Sequence, residues 1–468
     1  MIDKIKDKEI LVIGLARSGL AAAQLLAEKG ASKITVADRK EAEQLQEEAA
    51  SLKRFPVVEV VAGGTSPDLV TPGLSMIIKS PGVPPNLDLF KRAAKLGVPI
   101  FSEVELAYAF LKAPLIGVTG TNGKTTTTAL ITAMLREARF DPVLAAGNIG
   151  NPLCGVVGSV EAQGFIVAEL SSFQLENIDR LRPLVAVFLN FVEDHMDYHQ
   201  SIEAYFAAKA RIIENQLESD YAVLNAADSR VAALADRCKS RVLWFDRAPV
   251  ESGIGLEEGW ITIFNPGCEP ARICSREEVS LPGDHNLENA LAASAVAWAA
   301  GADPEAISAV LRTFKAIEHR LEYVATIDGA DYVNDSKGTN PASTIKALQS
   351  FSGRPKILIA GGKDRGSDFS ELAGMIGREV KSLILLGETR EILARALEEV
   401  GFEQYRLVAN LEEAVQGAYE AAEPGDIVLL SPACASWDMF PSYEVRGDLF
   451  KKLVQGLKSG PGSRGGGR

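Results

Sequence analysis

The feature that most constrains the fold is a unit repeated along the chain: a short apolar run, a Gly- or Ser-rich turn and a segment with helical spacing. The apolar runs include EILVIG (9–14), LIGVTG (115–120), FIVAEL (165–170), KILIAG (356–361) and DIVLLS (426–431). Strands that alternate with helices form parallel sheets covered by helices on both faces. The sequence therefore predicts an α/β protein.

The chain has 468 residues, too many for a single hydrophobic core. The repeated units group into three blocks, which we expect to be domains spanning residues 1–102, 103–316 and 317–458. Residues 459–468, SGPGSRGGGR, contain no apolar side chain, and we expect them to form a disordered tail.

Composition excludes several classes of protein. The net charge of −13 gives no general electrostatic reason to bind nucleic acid or an anionic membrane. The five cysteines are odd in number and form no CxxC pair, which argues against a disulfide framework and a zinc knuckle. Because no signal peptide and no membrane-spanning run is recognisable, we expect a cytoplasmic protein.

The stretch GVTGTNGKTTTTAL (117–130) has the features of a phosphate-binding loop. Gly120 and Gly123 allow successive N–H groups to face phosphate oxygens at the start of a helix. Lys124 would reach the β- and γ-phosphates, and the Thr125 hydroxyl would bind Mg²⁺. The strict pattern needs glycine where the chain has Val118, so this is a P-loop variant; a ligand-free Gly-rich turn is the alternative. We therefore expect a P-loop mononucleotide-binding domain in the centre of the chain. The repeated strand–turn–helix units of the first and third blocks predict a Rossmann-like domain on each side of it.

Glu169 is the next-to-last residue of the apolar run FIVAEL, and Ser171 follows directly after that run. A carboxylate at the end of a parallel strand lies at the ligand-binding edge of the sheet, where it can hold Mg²⁺. The alternative is a helix cap or a solvated charge. The position of Glu169 one unit after the P-loop favours the metal.

The stretch FVEDHMDYHQSIEAYFAAKARII holds two of the four histidines, His195 and His199. The H-x-x-x-H spacing suggests zinc if it is helical, but HExxH is absent and we expect Asp197 to lie in a loop. Lys209 follows in an apolar helical stretch, where the default interpretation is a lysine whose ammonium reaches the surface.

The third block has three candidate ligand loops, YVNDSKGTNPAST (332–344), IAGGKDRG (359–366) and LLSPACASWDMF (429–440). Each follows a predicted strand, so all three should converge on one edge of a sheet. Lysines, hydroxyls and backbone N–H groups at such an edge suit a small dianion. For the first loop, which contains Asp335, Ser336, Lys337 and Thr339, a helix-capping turn is equally compatible with the local sequence.

The first block begins with VIGLARSGLAAAQLLAEKGASKITVADRK, a predicted strand, Gly turn, helix and second strand ending at Asp38. This order is typical of dinucleotide binding, but Ala16 replaces the middle glycine of G-x-G-x-x-G. The motif is therefore weak evidence for NAD.

The motifs GTNGKTT, AELSSFQLE, LNFVEDHMDYH, YFAAKARI and LPGDHNLENALAA occur in this order, and together they resemble the Mur ligase superfamily, whose members build the peptide of bacterial peptidoglycan. The resemblance implies an ATP-dependent amide-bond ligase that works through an acyl phosphate. The third-block motifs resemble those of members that add D-glutamate to UDP-N-acetylmuramoyl-L-alanine. ATP, D-glutamate, this precursor and two Mg²⁺ are thus the expected ligands of a cytoplasmic bacterial monomer.

The resemblance also implies site residues, which fall into five groups. ATP would be bound by Gly120, Thr121, Asn122, Gly123, Lys124, Thr125 and Thr126 of the loop, by Asn286 and Asn289 on the adenine side, and by Arg320 and Asp335. The metals would be held by Thr125, Glu169, His195 and a carbamylated Lys209. The precursor would contact Arg17, Ser18 and Asp38 at its UDP end, and Asn148 and Ser171 at its activated end. D-Glutamate would be held by Thr339, Lys363, Ser431 and the backbone of Phe440. Catalysis would depend on Lys124, Lys209, His195 and Lys337.

Rival interpretations remain at this point. A sister ligase with another amino acid would share the fold, although the D-N-P-R signature of the diaminopimelate-adding relative is absent. A tetrahydrofolate polyglutamate ligase would lack a first domain of this kind. A P-loop ATPase that acts as a conformational switch should hydrolyse ATP without any amino acid, and an NAD-binding regulator would depend on the first block alone.

Overall fold

The computed structural model describes residues 5–148, 150–192, 196–281, 283–315, 318–351, 353–363 and 366–457. The chain separates into two compact units, Met1–Phe314 and Lys315–Arg468. The first unit holds two β-sheets and the second holds one. Among the helices in these ranges, none is both long enough and apolar enough to cross a bilayer.

The first sheet is five-stranded and entirely parallel, with strand order β3-β2-β1-β4-β5. Its strands are β1 (Glu9–Ile13), β2 (Lys33–Ala37), β3 (Val58–Val61), β4 (Met76–Lys79) and β5 (Ile100–Ser102). The helices that accompany them are α1 (Arg17–Glu28), α2 (Gln46–Leu52), α3 (Asp88–Leu96) and α4 (Glu103–Tyr108). The strand order reverses between β1 and β4, so loops that follow these two strands flank a crevice of the kind that binds ligands in α/β sheets.

The second sheet has nine strands in the order β14-β13-β12-β11-β10-β9-β6-β8-β7. Its strands are β6 (Leu115–Thr119), β7 (Val143–Gly147), β8 (Phe165–Glu169), β9 (Val185–Phe188), β10 (Tyr221–Asn225), β11 (Arg241–Phe245), β12 (Gly253–Glu257), β13 (Trp260–Phe264) and β14 (Ala271–Ser275). The helices are α5 (Lys124–Glu137), α6 (Ser172–Leu175), α7 (Met196–His199), α8 (Ile202–Ala210), α9 (Ser229–Ala232), α10 (Asp284–Ala299) and α11 (Pro304–Thr313). Strand β6 lies between β8 and β9, with Val118 opposite Glu169 and Thr119 opposite Phe188.

One hydrophobic cluster joins the two sheets of the first unit. It contains Val12 and Ile78 from the first sheet and Ile166 and Phe188 from the second. The strands that contribute these residues are almost continuously apolar, as expected for parallel strands that are buried on both faces. The two sheets therefore pack around a shared core.

The third sheet has six strands in the order β15-β16-β20-β17-β18-β19. Its strands are β15 (Glu322–Ile327), β16 (Ala330–Asn334), β17 (Lys356–Ala360), β18 (Val380–Leu385), β19 (Tyr405–Leu407) and β20 (Ile427–Leu430). The helices are α12 (Pro341–Gln349), α13 (Ser370–Glu379), α14 (Arg390–Glu399), α15 (Leu411–Ala421) and α16 (Tyr443–Leu457). Separate hydrophobic clusters cover its two faces.

The α/β prediction is confirmed, since every quoted apolar run forms a strand within one residue of its expected ends. The expectation that all strands pair in parallel is correct for the first sheet and only partly correct for the other two. Strands β12, β13 and β14 pair in antiparallel fashion, and so do β15 and β16. In both cases a short turn replaces the crossover helix that a parallel pair requires.

Candidate active site

The predicted phosphate loop connects β6 to α5, which begins at Lys124. Gly123 precedes the helix with φ of +81°, and a Cβ built on it would lie 2.0 Å from Asn289 Oδ1. Only glycine meets both requirements without strain. The first turn of α5 carries no acidic residue, so its N–H groups and the positive end of the helix dipole remain suited to an anion.

Asn190, which the sequence analysis did not single out, holds the tip of this loop. Its amide oxygen accepts from Asn122 N at 2.9 Å, and its amide nitrogen donates to Asn122 O at 3.2 Å. The Asn190 carbonyl accepts from Thr121 N at 3.0 Å. The signal was available, because Asn190 follows β9 at the same sheet edge as the loop.

The Thr125 hydroxyl and the Glu169 carboxylate lie side by side at the start of α5. Thr125 Oγ1 donates to Glu169 Oε2 at 3.1 Å, and Asn148 Nδ2 donates to Glu169 Oε1 at 2.9 Å. Glu169 is only 1% exposed. The alternatives of a helix cap or a solvated charge are therefore wrong for Glu169, and three predicted ligand-binding residues converge on one point.

Lys209 also belongs to this site. Its side chain is 2% exposed, and Nζ donates to Gly120 O at 2.7 Å while lying 4.8 Å from the centre of the Tyr205 ring. The default interpretation of a surface-reaching lysine is wrong, because the end of α8 faces the phosphate loop. Tyr205, a second residue that sequence reasoning missed, also reaches Thr121, with 3.4 Å between their hydroxyl oxygens.

Of the two histidines in the DHMDYH stretch, the structure describes only His199. His195 lies outside the described residues, so its predicted metal role stays a prediction. His199 is buried, with Nε2 2.9 Å from Ser172 Oγ. The expectation of a loop at Asp197 is wrong, since Met196–His199 forms one helical turn. Within the described ranges, no three His, Cys, Asp or Glu side chains group as a metal site.

The predicted adenine-side asparagines lie on the first turns of α10. Asn289 is buried against the phosphate loop, and its Oδ1 accepts from Thr127 Oγ1 at 3.4 Å. Asn289 Nδ2 donates to Asn286 Oδ1 at 3.4 Å. The structure thus brings both asparagines together beside Gly123 at the start of α5.

The predicted UDP-side residues surround the turn after β1. Asp38 follows β2, and its carboxylate accepts from Leu15 N at 2.6 Å and Lys40 N at 2.9 Å. Arg17 Nη1 donates to Gly150 O at 3.3 Å, which connects this turn to the segment that carries Asn148. Ser18 lies beside Arg17 in the first turn of α1.

The loop SPGVP (80–84) neighbours the same turn, because Ser80 Oγ donates to Gly14 O at 2.9 Å. Ser171, predicted at the activated end of the precursor, is the N-cap of α6. Its hydroxyl and backbone N–H both donate to Gln174 Oε1 at 2.9 Å.

The three predicted loops of the second unit do converge on one edge of the third sheet. Ser431 Oγ donates to Asp335 Oδ2 at 2.7 Å, and Lys363 pairs with Ala435 through a backbone N–H···O bond of 2.8 Å. Burial raises the pKa of the Asp335 carboxyl to about 6, against the opposing effect of the Ser431 hydrogen bond. Helix capping is the wrong explanation for Asp335, since Asn340 caps α12 through Ser343 N.

The remaining predicted residues of this unit differ in exposure. Arg320 and Lys337 are exposed, Thr339 and Phe440 are half-buried, and Lys363 Nζ forms an ion pair with Glu388 at 2.7 Å. Ser431 has no exposed surface. A direct contact between Ser431 and a ligand would therefore require its bond to Asp335 to open.

Arg446 is a residue that no sequence signal indicated. It is buried, and its guanidinium donates to Ser336 Oγ at 3.0 Å, Ser336 O at 2.8 Å and Cys434 O at 3.2 Å. Burial lowers the pKa of Arg446 to about 10. This cation fastens the loop after β16 to the loop after β20.

A phosphate loop at the switch point of one sheet, with a buried carboxylate and a buried lysine beside it, defines a nucleotide-binding α/β protein. Three family models match the chain in order: "Mur ligase MurD-like, N-terminal domain" at residues 8–102, "Mur ligase middle domain" at 118–297 and "Mur ligase, glutamate ligase domain" at 319–434. The chain belongs to the Mur ligase family, as its motifs suggested. The exact domain boundaries stay a prediction.

Similar proteins span nearly the whole chain. The UDP-N-acetylmuramoylalanine--D-glutamate ligase of Geobacillus kaustophilus is 46% identical over 97% of this chain and 98% of its own. The protein of the same name from Pelotomaculum thermopropionicum is 45% identical over 98% of this chain and 100% of its own. Among solved structures, a murein peptide ligase from Psychrobacter arcticus aligns over 97% of this chain and 98% of its own, with 17% identity and a TM-score of 0.49.

Proposed function

We propose that this protein joins D-glutamate to UDP-N-acetylmuramoyl-L-alanine, at the expense of ATP, in the synthesis of peptidoglycan precursors. The observation that carries the proposal is the meeting of Thr125, Glu169 and Asn148 beside the phosphate loop, with Lys209 on the loop's Gly120 carbonyl. The names of the relatives above supply the amino acid and the precursor.

ATP would occupy the loop formed by residues 120–126. The positive φ and the lack of a side chain at Gly120 and Gly123 leave the backbone open to phosphate oxygens. Lys124 would turn from its present carbonyl partners to the β- and γ-phosphates. Asn286 and Asn289 would contact the adenine, consistent with the burial of Asn289 against the loop.

Two Mg²⁺ ions would be held by oxygen and nitrogen ligands from Thr125, Glu169, His195 and a carbamylated Lys209. The fit is supported by the buried Glu169 carboxylate, which faces the Thr125 hydroxyl and needs a cation to offset its charge. Carbamylation would convert the Lys209 ammonium into an anionic oxygen ligand. Bound Mg²⁺ would neutralise charge on the phosphoryl group during its transfer.

The precursor would bind its UDP end near Arg17, Ser18 and Asp38 and extend its alanyl carboxylate toward Asn148 and Ser171. The Arg17 to Gly150 bond supports this path, because it joins the first turn to the segment bearing Asn148.

D-Glutamate would be held through its two carboxylates by Thr339, Lys363, Ser431 and the Phe440 backbone. Arg320 and Asp335 would contact ATP, and Lys337 would take part in catalysis.

The reaction would proceed in two steps. The alanyl carboxylate would attack the γ-phosphorus, with Lys124 stabilising the charge on the transferring oxygens, and an acyl phosphate and ADP would form. The amine of D-glutamate, after losing a proton, would attack the acyl carbon. The C–O bond to phosphate would break, and phosphate would leave with the second proton of the nitrogen, so that an amide remains. Glu169 and Lys209 would position the reacting groups throughout.

The test is ADP release with ATP, Mg²⁺ and UDP-N-acetylmuramoyl-L-alanine, comparing D-glutamate with L-glutamate, L-alanine and meso-diaminopimelate. We expect stimulation by D-glutamate only, with one new amide per ADP. Stimulation by a different amino acid would reassign the protein to a sister step. ADP release that ignores all four amino acids would overturn the ligase and favour a conformational switch.

A further inference from the structure

A buried lysine lies at the ligand edge of the first sheet, outside the residues discussed so far. Lys79 is the last residue of β4, and its side chain is 3% exposed. The next residue, Ser80, is bonded to Gly14 in the turn after β1. Lys79 therefore stands at the switch point of the first sheet, where loops meet ligands.

The partners of Lys79 come from the nucleotide-binding part of the same unit. Its Nζ donates to the Tyr198 hydroxyl and lies 3.4 Å from Glu176 Oε2. The Tyr198 hydroxyl donates to the same Glu176 oxygen at 2.9 Å. The three side chains thus form a closed polar cluster, which we name the Lys79 cluster.

The Lys79 cluster is connected to the phosphate loop through rings. Tyr198 packs on His199, with 4.8 Å between ring centres, and His199 lies 5.2 Å from Tyr205. Tyr205 in turn lies under Lys209 and beside Thr121. Each contact is made by a buried or half-buried ring, so a shift of Tyr198 would be transmitted toward Lys209.

A second connection runs through the backbone of Glu176. Its carbonyl accepts a hydrogen bond from Arg211 Nη1, and Arg211 Nη2 donates to Ile178 O at 2.8 Å. Arg211 follows the end of α8 and is two residues beyond Lys209. The side chain of Glu176 therefore binds the first sheet while its main chain binds the end of the helix that carries Lys209.

Stability alone is a weak explanation for this cluster. Burial lowers the pKa of Lys79, with the Glu176 charge opposing that effect. Desolvating an ion pair offsets much of its attraction, and an apolar residue of similar size is often as stable. A buried lysine that is paired in fixed geometry with a half-buried carboxylate is better suited to setting the orientation of the groups around it.

The geometry points to Lys79, Glu176 and Tyr198 as positioning residues that hold the ligand edge of the first sheet in register with α7 and α8. They would set the distance between the precursor's site and the phosphate loop without touching either substrate. Because transfer depends on near-contact geometry, a displacement of about 1 Å can cost roughly 100-fold in rate. This inference rests on the proposed function, which supplies the reaction to be measured.

The experiment compares Lys79→Met, Lys79→Arg and Tyr198→Phe with the wild type in the full-length protein. The matched control is Lys33→Met, since Lys33 and Glu59 are also 3.4 Å apart but are exposed within the first sheet. Turnover is measured with all substrates, and the binding of UDP and of a non-hydrolysable ATP analogue is measured separately by calorimetry. Melting temperatures report folding.

We expect Lys79→Met to lower kcat about 10-fold or more while UDP and ATP-analogue affinities change less than about 2-fold. Lys79→Arg should recover much of the loss, and Lys33→Met should match the wild type. If Lys79→Met does not fold, Tyr198→Phe decides, because it keeps the ring and removes the hydroxyl.

Wild-type turnover in Tyr198→Phe or in a folded Lys79→Met would overturn the positioning role. Parallel losses of kcat and of both affinities would also overturn it in favour of a general structural role. An inactive wild type would instead contradict the proposed function, which keeps the two failures distinct.

Discussion

Lys124 and Lys209 donate to the same backbone oxygen, that of Gly120, at 3.0 and 2.7 Å. One lysine begins α5 and the other lies near the end of α8, 89 residues after Gly120. Two ammonium groups beside one carbonyl repel each other. The arrangement is therefore suited to an anion, which would draw Lys124 toward it, and to a change of charge at Lys209.

Substitutions of Lys209 distinguish its positive charge from its expected role as a carbamylated metal ligand. Lys209→Ala should lower turnover by roughly 100-fold or more, since it removes both the bond to Gly120 and the expected carbamate. Lys209→Arg should be equally inactive although it keeps the positive charge. Short-chain carboxylic acids should restore part of the activity of Lys209→Ala but none of Lys209→Arg, which leaves no space for them. Steady-state ADP release provides the measurement, and an active Lys209→Arg variant would contradict the carbamate.

Gly123→Ala should damage the phosphate loop. Its new Cβ would meet Asn289 Oδ1 at 2.0 Å, and φ of +81° is unfavourable for alanine. We expect a stability loss of about 1–3 kcal/mol and ATP-analogue binding weakened roughly 10-fold or more. Adding Asn289→Ala should remove the clash but not the backbone strain. Gly64→Ala is the control, because nothing lies within 4 Å of its added Cβ; a tight-binding Gly123→Ala protein would show that the loop can rearrange.

Much of the fold could be predicted because each strand, turn and helix of a βα unit carries a local pattern. The antiparallel pairing of β12, β13 and β14 was not predicted, although the sequence contains a turn signal between β12 and β13. Glu258 and Gly259 join β12 to β13, and both have positive φ, as in the tight turns of β-hairpins. Glu-Gly is a weaker form of the Asn-Gly signal, and neighbouring βα units obscured it.

The site could be predicted where a motif fixes the chemistry, as at Thr125 and Glu169. It could not be predicted where the environment comes from distant segments. The helix around Lys209 is apolar on more than one face, so local periodicity did not show that Lys209 would meet Gly120 and Tyr205. Arg446 was missed for the same reason, because most of its partners are backbone carbonyls of distant loops, which no sequence pattern marks.

Ionisation of Asp335 should produce an acidic limb in the pH profile of kcat/KM. Burial raises the pKa of its carboxyl from 3.8 to about 6. If the ionised form is needed to contact ATP, kcat/KM should rise with pH through about 6 and level off above it. Asp335→Asn should be slower and should lack this limb. The pH dependence of kcat/KM is the measurement, and a variant that keeps the limb would assign it to another group.

Glu103 makes the stability of the first unit depend on pH. The carboxyl is fully buried, Oε1 accepts from Cys154 N at 2.5 Å, and Oε2 has no hydrogen-bond partner among the described residues. Burial raises the pKa of Glu103 from 4.5 to about 7. Because the folded state holds this proton more tightly than the unfolded state, the stabilising contribution is complete below about 4.5 and is lost as pH rises to about 7.

Glu103→Gln should abolish that loss, since glutamine keeps the acceptor for Cys154 N and cannot ionise. The amide would bury a donor at the position of Oε2, which costs stability by an amount that does not vary with pH. The free energy of unfolding of the variant, measured relative to that of the wild type, should therefore increase by on the order of 3 kcal/mol between about pH 5 and pH 8. Thermal unfolding across this range measures the difference, with the exposed Glu59→Gln as control. If the gap between wild type and Glu103→Gln stayed constant with pH, Glu103 would have to be ionised throughout, and a compensating cation would have to lie beside it.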